Sequence, residues 1–420
     1  LDHNPGTVTE KDKLHAIVNQ EGHLVLPPEV VERFGFTPGA EVPLTIAAHG
    51  VHLKRPFTHL AKVYLEPTNS CNLDCRTCMR NAWDEPLGTM PTQVFERILD
   101  GLKGYSTAPE ISFGGLGEPL LHKQIGAMVS QAKALGARVE LITNGTLLSE
   151  PRSQELIQAG LDMLWVSIDG ARPESYMDVR LGAELPQVLE NVARFHSLRS
   201  SLRHKTEIGI VFVAMQQNIK ELSEMLSLAT RLGASRFMIS HVLPYTSQMR
   251  DQRLYARLIP QEAAASRQLK IRLPQSNFNS LAAALFDQLP ESGYTIAFDD
   301  FEITRRESCP FVERGSLSVR WDGAVSPCLL LLHPHTSFLD EHRRAIQACV
   351  VGNVQEQSLI DVWNSASYRS LRARLQDFDF SPCLYCGGCD LVEGNQEDCT
   401  GNEFPACGGC LWARGLIQCP

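Results

Sequence analysis

Cys71-Asn72-Leu73-Asp74-Cys75-Arg76-Thr77-Cys78 sets three cysteines at C-x3-C-x2-C spacing. The run before it, Ala61-Lys62-Val63-Tyr64-Leu65-Glu66-Pro67, is apolar and rich in β-formers. It reads as a strand whose C-terminal end delivers the loop. Three thiolates on one short loop can hold three irons of a cubane [4Fe–4S] cluster, which ordinarily takes four cysteines. One iron is then open to a substrate or cofactor. The other readings are a zinc loop or three unrelated thiols. Zinc sites usually show two C-x2-C or Cys/His pairs, and this stretch has one.

Outward from the loop, strand and helix patterns alternate over residues 61–244. Largely apolar runs at 61–65, 110–113, 138–142, 163–168, 207–213 and 236–241 fit strands covered on both faces. Amphipathic stretches at 92–102, 122–135, 151–159, 185–199 and 219–232 separate them. Repeated βα units predict a parallel sheet with right-handed crossovers. Six strands are two short of a closed barrel, so the expected fold is α/β with a partial (β/α)6 TIM-type barrel. Active residues of such barrels gather at the C-terminal strand ends, where Cys71–Cys78 falls.

The other strand ends carry Phe113-Gly114-Gly115-Leu116-Gly117-Glu118-Pro119, Thr143-Asn144-Gly145, Ser167-Ile168-Asp169-Gly170 with Arg180 beyond, and Val213-Ala214-Met215. Glycine lets backbone approach a ligand closely, and Glu118 can pair with an ammonium. Each has a plainer reading: a Gly-rich turn with a solvated Glu118, a turn residue at Asn144, a helix cap at Asp169, a core strand at Met215.

Together these motifs resemble the radical S-adenosylmethionine (SAM) superfamily. The resemblance implies that Cys71, Cys75 and Cys78 hold a [4Fe–4S] cluster that binds and reductively splits SAM. It implies SAM contacts from Gly115, Gly117, Glu118, Asn144, Ser167, Arg180 and Met215. Many members have an aromatic residue before the third motif cysteine; here that position is Thr77.

Beyond the barrel, 246–305 reads as a connecting or substrate-lining segment, with an acidic run at Asp299-Asp300-Phe301-Glu302. From Cys309 a second cysteine pattern begins: C-x13-G-x4-C to Cys328, a hairpin around Asp322-Gly323, one helix over 358–376, then Cys383, Cys386, Cys389, Cys399, Cys407, Cys410 and Cys419. This order resembles the SPASM domain, which implies two auxiliary [4Fe–4S] clusters. Two such clusters need eight thiolates, and nine cysteines stand here without Cys349, which reads as a buried thiol in an apolar run. A zinc-knuckle tail is the alternative.

Residues 1–56 read as a small β-rich module, with strands at 15–19, 24–26, 41–47 and 51–53 and a short helix opened by Pro27-Pro28. The string GHLVLPPEVVERFGFTPGAEV resembles AbrB-like modules, often dimeric and DNA-binding. Over residues 1–55, however, five Lys/Arg face seven Asp/Glu. A DNA-binding face needs clustered cations, so docking or dimerisation is the expected role. The expected domains are thus 1–56, 57–245 (radical SAM core), 246–305 and 306–420 (SPASM).

Net charge is −9, which gives no general attraction to nucleic acid or anionic membrane. The apolar run at 329–332 is far too short to span a bilayer. Thirteen clustered cysteines without an export signal point to metal ligation in a reducing, cytoplasmic setting. The front module, the stretch EPTNSCNLDCRTCMRNAWDEPLGTM, SHVLPYT and the tail CGGCLWARGLIQCP also resemble radical SAM/SPASM maturases associated with tungsten-cofactor oxidoreductases. That implies as partner a tungsten-dependent oxidoreductase or its cofactor, with ferredoxin or flavodoxin as electron donor. Two further functions stay open: modification of a peptide or protein side chain, and an iron–sulfur redox sensor that binds DNA.

Overall fold

The computed structural model describes residues 14–47, 50–105, 107–255, 308–339, 341–383, 389–413 and 415–419. Most of the expected connecting segment, including Asp299–Glu302, lies outside the described residues, and so does Cys386.

The central sheet is built on β5 (Lys62–Leu65), β6 (Glu110–Phe113), β7 (Val139–Thr143), β8 (Met163–Ser167), β9 (Glu207–Ala214) and β10 (Arg236–His241). All six are parallel and pair in sequence order. The helices Thr92–Leu102, Ile125–Ala134, Glu150–Gln158, Leu185–Ser201 and Leu222–Arg231 occupy the crossovers. One short helix, Pro173–Val179, was not foreseen. Val63, Leu65, Ile111, Phe113, Val139, Leu141, Leu164, Val166, Ile208, Ile210 and Phe212 are all buried in the main core.

The alternate side chains tell a different story from the expected two-sided apolar strands. Lys62 sits 2.6 Å from Glu110 and 3.2 Å from Glu140, and Arg138 reaches Glu140 at 3.5 Å and Glu207 at 3.3 Å. Arg236 pairs with Glu207 and the Trp165 indole donates to Glu140. The N-terminal ends of the strands are therefore joined by a largely buried ionic network. Such a network adds little net stability, but removing one member leaves an unpaired charge. Burial alone would lower the Lys62 pKa; the neighbouring Tyr64, Glu110 and Glu140 outweigh it and hold Lys62 above its ordinary value.

The sheet does not stop at β5. β11 (Ser316–Val319) pairs parallel with β5, Ser316 opposite Lys62 and Val319 opposite Leu65. β12 (Ala324–Ser326) and β15 (Gly352–Asn353) extend it antiparallel to nine strands. The foreseen hairpin is thus part of the barrel sheet, and it covers backbone groups that an edge at β5 would expose. At the other end β10 is covered by the C-terminal tail. His241 donates its N–H to the Leu416 carbonyl at 3.3 Å, and the Gln418 N–H donates to the Ser240 hydroxyl at 3.0 Å.

The C-terminal part adds the hairpin of β13 (His335–Leu339) and β14 (His342–Ile346), unseen in the sequence because its alternation includes His and Arg. The helix expected over 358–376 is two helices, Leu359–Asn364 and Ala366–Asp377. Ser365 breaks it: its extended backbone cannot continue the first helix, and its hydroxyl caps the second by accepting from Tyr368 N–H.

In the front module, β1 (Ile17–Val18) pairs with β2 (Leu24–Val25), and β3 (Leu44–Ala47) with β4 (Gly50–Leu53), around the helix Pro28–Phe34. No described apolar side chain from 14 to 55 is buried; Ile17 is 68% and Ile46 84% exposed.

Candidate active site

The cysteine loop leaves β5 at its C-terminal end and is fixed mainly by its own polar side chains. The Thr68 hydroxyl donates to Gly88 O at 2.6 Å, Asn69 donates to Pro86 O at 2.9 Å, and Gly88 N–H donates back to Asn69 Oδ1 at 2.7 Å. Further on, Asp74 N–H and Arg76 N–H donate to Leu181 O and Val179 O, and Asn81 Nδ2 donates to Cys75 O at 2.8 Å. These bonds hold the loop with Cys75 buried and Cys71 and Cys78 half-buried. Burial pushes the Cys75 thiol up to about 11 against the pull of Arg180, and burial raises Cys78 too. Ligation of a metal cluster therefore releases protons from these thiols.

Gly117 shows how closely the second strand end packs on this loop. A Cβ there would lie 2.1 Å from Thr68 O and 2.6 Å from Ser70 O, both backbone atoms. Gly117→Ala is expected to displace the cysteine loop and to destabilise the protein by about 1–3 kcal/mol. Iron content and urea unfolding of the purified variant check this.

Glu118 turns inward. It is 2% exposed, and its carboxylate accepts from Leu120 N–H at 3.0 Å, the Thr143 hydroxyl at 2.7 Å and Asn144 N–H at 2.8 Å. Burial pushes its carboxyl up, opposed by these three bonds. Its three donors are protein groups, and it braces the second strand end against the third. Gly115 lies over the Glu66 side chain with φ +95°. Asn144 faces the cysteine loop: its Nδ2 donates to Asn72 Oδ1 at 3.1 Å and lies 3.9 Å from Cys71 Sγ.

Ser167 ends β8 and is buried. Arg180 pairs with Asp169 through Nε and Nη2, at 2.7 and 2.6 Å from Oδ2, while Asp169 Oδ1 accepts from Val213 N–H. Burial works to lower the Arg180 pKa; the charges of Asp169 and Cys75 outweigh it and hold the guanidinium above its ordinary value. Met215 is fully buried beside Val179 and Val242, the core-strand environment that periodicity left open.

Two features escaped the sequence reading. His333 is fully buried, with Nε2 2.8 Å from Glu66 and Nδ1 3.1 Å from Glu85, and Trp83 packs edge-on against its ring. It ties the C-terminal domain to both sides of the cysteine loop. Tyr245 is half-buried, and the burial of its phenol pushes it up, with the charges of Cys78 and Cys419 beside it. Only a single residue between distant segments, such as His333, could have signalled these contacts, and periodicity carries no such signal.

None of the twelve described cysteines of the chain, nine of them in the C-terminal part, is in a disulfide. Cys309, Cys328, Cys407 and Cys410 line one cavity whose other walls include Phe311, Leu331, Ile346 and Phe378. Among the described residues no three His, Cys, Asp or Glu side chains converge as for a single metal ion; these thiols ring a space instead. Cys383 lies near Cys399 and Cys389, and Ser381 Oγ is 3.1 Å from Cys399 Sγ. Cys349 is buried, and Cys419 accepts from the Trp412 indole at 3.1 Å.

The radical SAM superfamily model matches residues 65–229, and the SPASM iron–sulfur cluster-binding domain matches 309–390. A tungsten-containing aldehyde ferredoxin oxidoreductase cofactor-modifying protein from Pyrococcus furiosus is 31% identical over 363 residues, 85% of this chain and 96% of the relative. The chain belongs to the radical SAM superfamily and carries a SPASM domain. Radical SAM enzymes work with a [4Fe–4S] cluster and SAM, and SPASM domains bind further iron–sulfur clusters. The PqqA peptide cyclase of Gluconobacter oxydans is 24% identical, covering 81% of this chain and 88% of the cyclase. In fold, Streptococcus suis SuiB bound to S-adenosylmethionine superposes with TM-score 0.54 at 16% identity, over 80% of this chain and 72% of SuiB. The thiol-bearing loop at the C-terminal end of β5 and the thiol-lined cavity of the C-terminal part suit this radical SAM enzyme's clusters in donor chemistry.

Proposed function

We propose that this radical SAM enzyme matures a tungsten-dependent oxidoreductase by modifying its cofactor. The observation that carries the reading is the 31% identity to the cofactor-modifying protein over nearly that protein's whole length. Cys71, Cys75 and Cys78 would hold the SAM-cleaving cluster. A cluster held there would supply the one electron needed for reductive cleavage of SAM to methionine and a 5′-deoxyadenosyl radical. The chain's own part is positioning. Asn144 steadies the cysteine loop through Asn72, Gly115 and Gly117 let backbone approach SAM, and Glu118 braces them. Ser167, Arg180 and Met215 are read as the remaining SAM contacts, Arg180 oriented by Asp169.

For the auxiliary clusters, the cavity supports one ligand set of Cys309, Cys328, Cys407 and Cys410. The second would be Cys383, Cys386, Cys389 and Cys399, which leaves Cys419 and Cys349 as free thiols. The expected outcome is that Cys419→Ser keeps the full iron content, whereas Cys407→Ser loses about one cluster, four irons; iron and sulfide analysis distinguishes them. The front module is read as a docking or dimerisation element, AbrB-like in sequence, on the strength of its exposed apolar strands. Among the described residues no helix is long and apolar enough to cross a membrane, and the many free thiols favour a cytoplasmic setting. A ferredoxin or flavodoxin is the electron donor of this reading.

Anaerobic incubation of the reduced enzyme and SAM with a tungsten-dependent oxidoreductase, followed by mass spectrometry of its released cofactor, tests the substrate. A changed cofactor mass supports the proposal. An unchanged cofactor, with a mass shift on a candidate peptide instead, replaces it with peptide modification, the activity named in the cyclase relative.

A further inference from the structure

The centre of β14 carries a buried charge held by peptide carbonyls. Arg344 is 7% exposed. Its Nε donates to Val392 O at 2.7 Å, its Nη1 to Gly409 O at 3.1 Å and its Nη2 to Gly394 O at 2.9 Å. Among the described residues no Asp or Glu pairs with it. A buried guanidinium satisfied only by peptide carbonyls has its hydrogen bonds met but its charge uncompensated, which is costly. The nearby groups able to carry negative charge are thiols. Arg344 lines the cavity of Cys309, Cys328, Cys407 and Cys410, and the charges that act on it are those of Cys383, Cys410 and Cys407.

The backbone is shaped to put it there. Between Cys407 and Cys410 stand Gly408 and Gly409. A Cβ on Gly409 would lie 2.8 Å from Arg344 Nη1 and 2.9 Å from its Cζ. A Cβ on Gly408 would lie 1.9 Å from Ser381 O and 3.4 Å from Cys383 Sγ. The first glycine therefore lets Cys383, of the second thiol set, close onto the first set. The other seats the guanidinium at the same junction.

We propose that Arg344 is a potential-setting residue shared by the two auxiliary clusters. The inference rests on the reading that both thiol sets hold iron–sulfur clusters. A cubane bound by four thiolates is an anion that gains one further negative charge on reduction, and net charge and hydrogen bonding around the sulfurs set its potential. A fixed buried cation between two such anions offsets their mutual repulsion and favours their reduced forms. The carbonyl bonds hold the cation in place, and among the described residues no carboxylate neutralises it.

The test is a redox titration of the auxiliary clusters, followed by electron paramagnetic resonance, in the whole anaerobic protein. Three forms are compared: wild type, Arg344→Gln and Arg344→Lys. The Cys71/Cys75/Cys78→Ala background removes the overlapping signal of the SAM-cleaving cluster. With Arg344→Gln, the reduced-to-oxidised ratio of at least one auxiliary cluster at fixed poise is expected to fall about tenfold, a shift of about 59 mV to more negative potential for a one-electron couple. Arg344→Lys keeps the charge and stays near wild type. Loss of auxiliary iron in the Gln variant but not in the Lys variant also supports the proposal, because it assigns the effect to charge. Unchanged potentials in Arg344→Gln at full iron content overturn it, as does equal loss of iron in both variants, which would make the residue a purely structural brace. Wild-type protein without auxiliary iron is a separate failure: it removes the two-cluster reading itself.

Discussion

Replacing Cys71, Cys75 and Cys78 together by alanine should abolish 5′-deoxyadenosine formation and leave the protein folded, with its iron reduced from about twelve atoms to about eight. The loss is expected to be complete because the three thiols lie on one loop and no described cysteine from elsewhere approaches to replace them. Asn144 Nδ2 and Leu73 N–H are the hydrogen-bonding groups near Cys71 Sγ, and neither can ligate iron as a thiolate does. Folding should survive because the loop is held by Thr68, Asn69, Asn81 and backbone bonds rather than by the sulfurs. The C-terminal thiols keep their own cavity. Iron analysis with liquid chromatography of the SAM products reads both halves of the expectation. SAM cleavage by the triple variant would remove these cysteines from the site.

Asp169→Asn should destabilise the protein by about 3–5 kcal/mol, because it leaves the buried Arg180 guanidinium without its counter-charge. Asp169 is fully buried and takes both Nε and Nη2 of Arg180 on one oxygen. Its other oxygen holds Val213 N–H, so the substitution also loosens the C-terminal end of β9. The sign with pH follows from Arg180, whose folded pKa is raised. A raised folded pKa gives stabilisation that is fully present below the unfolded value and lost only as pH rises through the folded one. The unfolded value of arginine is above about 12, so the deficit of Asp169→Asn should stay constant from about pH 6 to pH 9. The double variant Asp169→Asn with Arg180→Leu should recover part of the loss, because it removes the buried charge that the single variant leaves unpaired. Denaturant unfolding of the wild type and the two variants measures it. A single-variant loss below about 1 kcal/mol would mean that the pair is solvated and not the buried pair described here.

The strands of the barrel were legible because each is a short apolar run bounded by turn residues, and 110–113 and 236–241 coincide with β6 and β10. The cysteine loop was legible because metal-ligand spacing is local. What sequence reasoning missed depends on residues far apart in the chain. The pairing of β11 with β5 joins Ser316 to Lys62, and neither run states its partner. Lys62, Glu110, Arg138 and Glu140 stand within runs read as largely apolar strands, yet the closing sheet brings them into one network. His333 gave no sign that it would meet Glu66 and Glu85. Glu118 was recognisable as a motif residue, but only the fold shows that its carboxylate is taken by Leu120, Thr143 and Asn144. Cysteine counting set nine C-terminal thiols against eight ligand positions and assigned none of them to a cluster; the four that share a cavity became visible only in three dimensions.

Reduction of the anaerobically reconstituted protein with dithionite, and electron paramagnetic resonance before and after SAM, addresses the open-iron claim most directly. The cluster held by Cys71, Cys75 and Cys78 should change its signal when SAM binds, and 5′-deoxyadenosine should then accumulate. A reduced spectrum that SAM leaves untouched, or zinc in place of iron on the front loop, would contradict it.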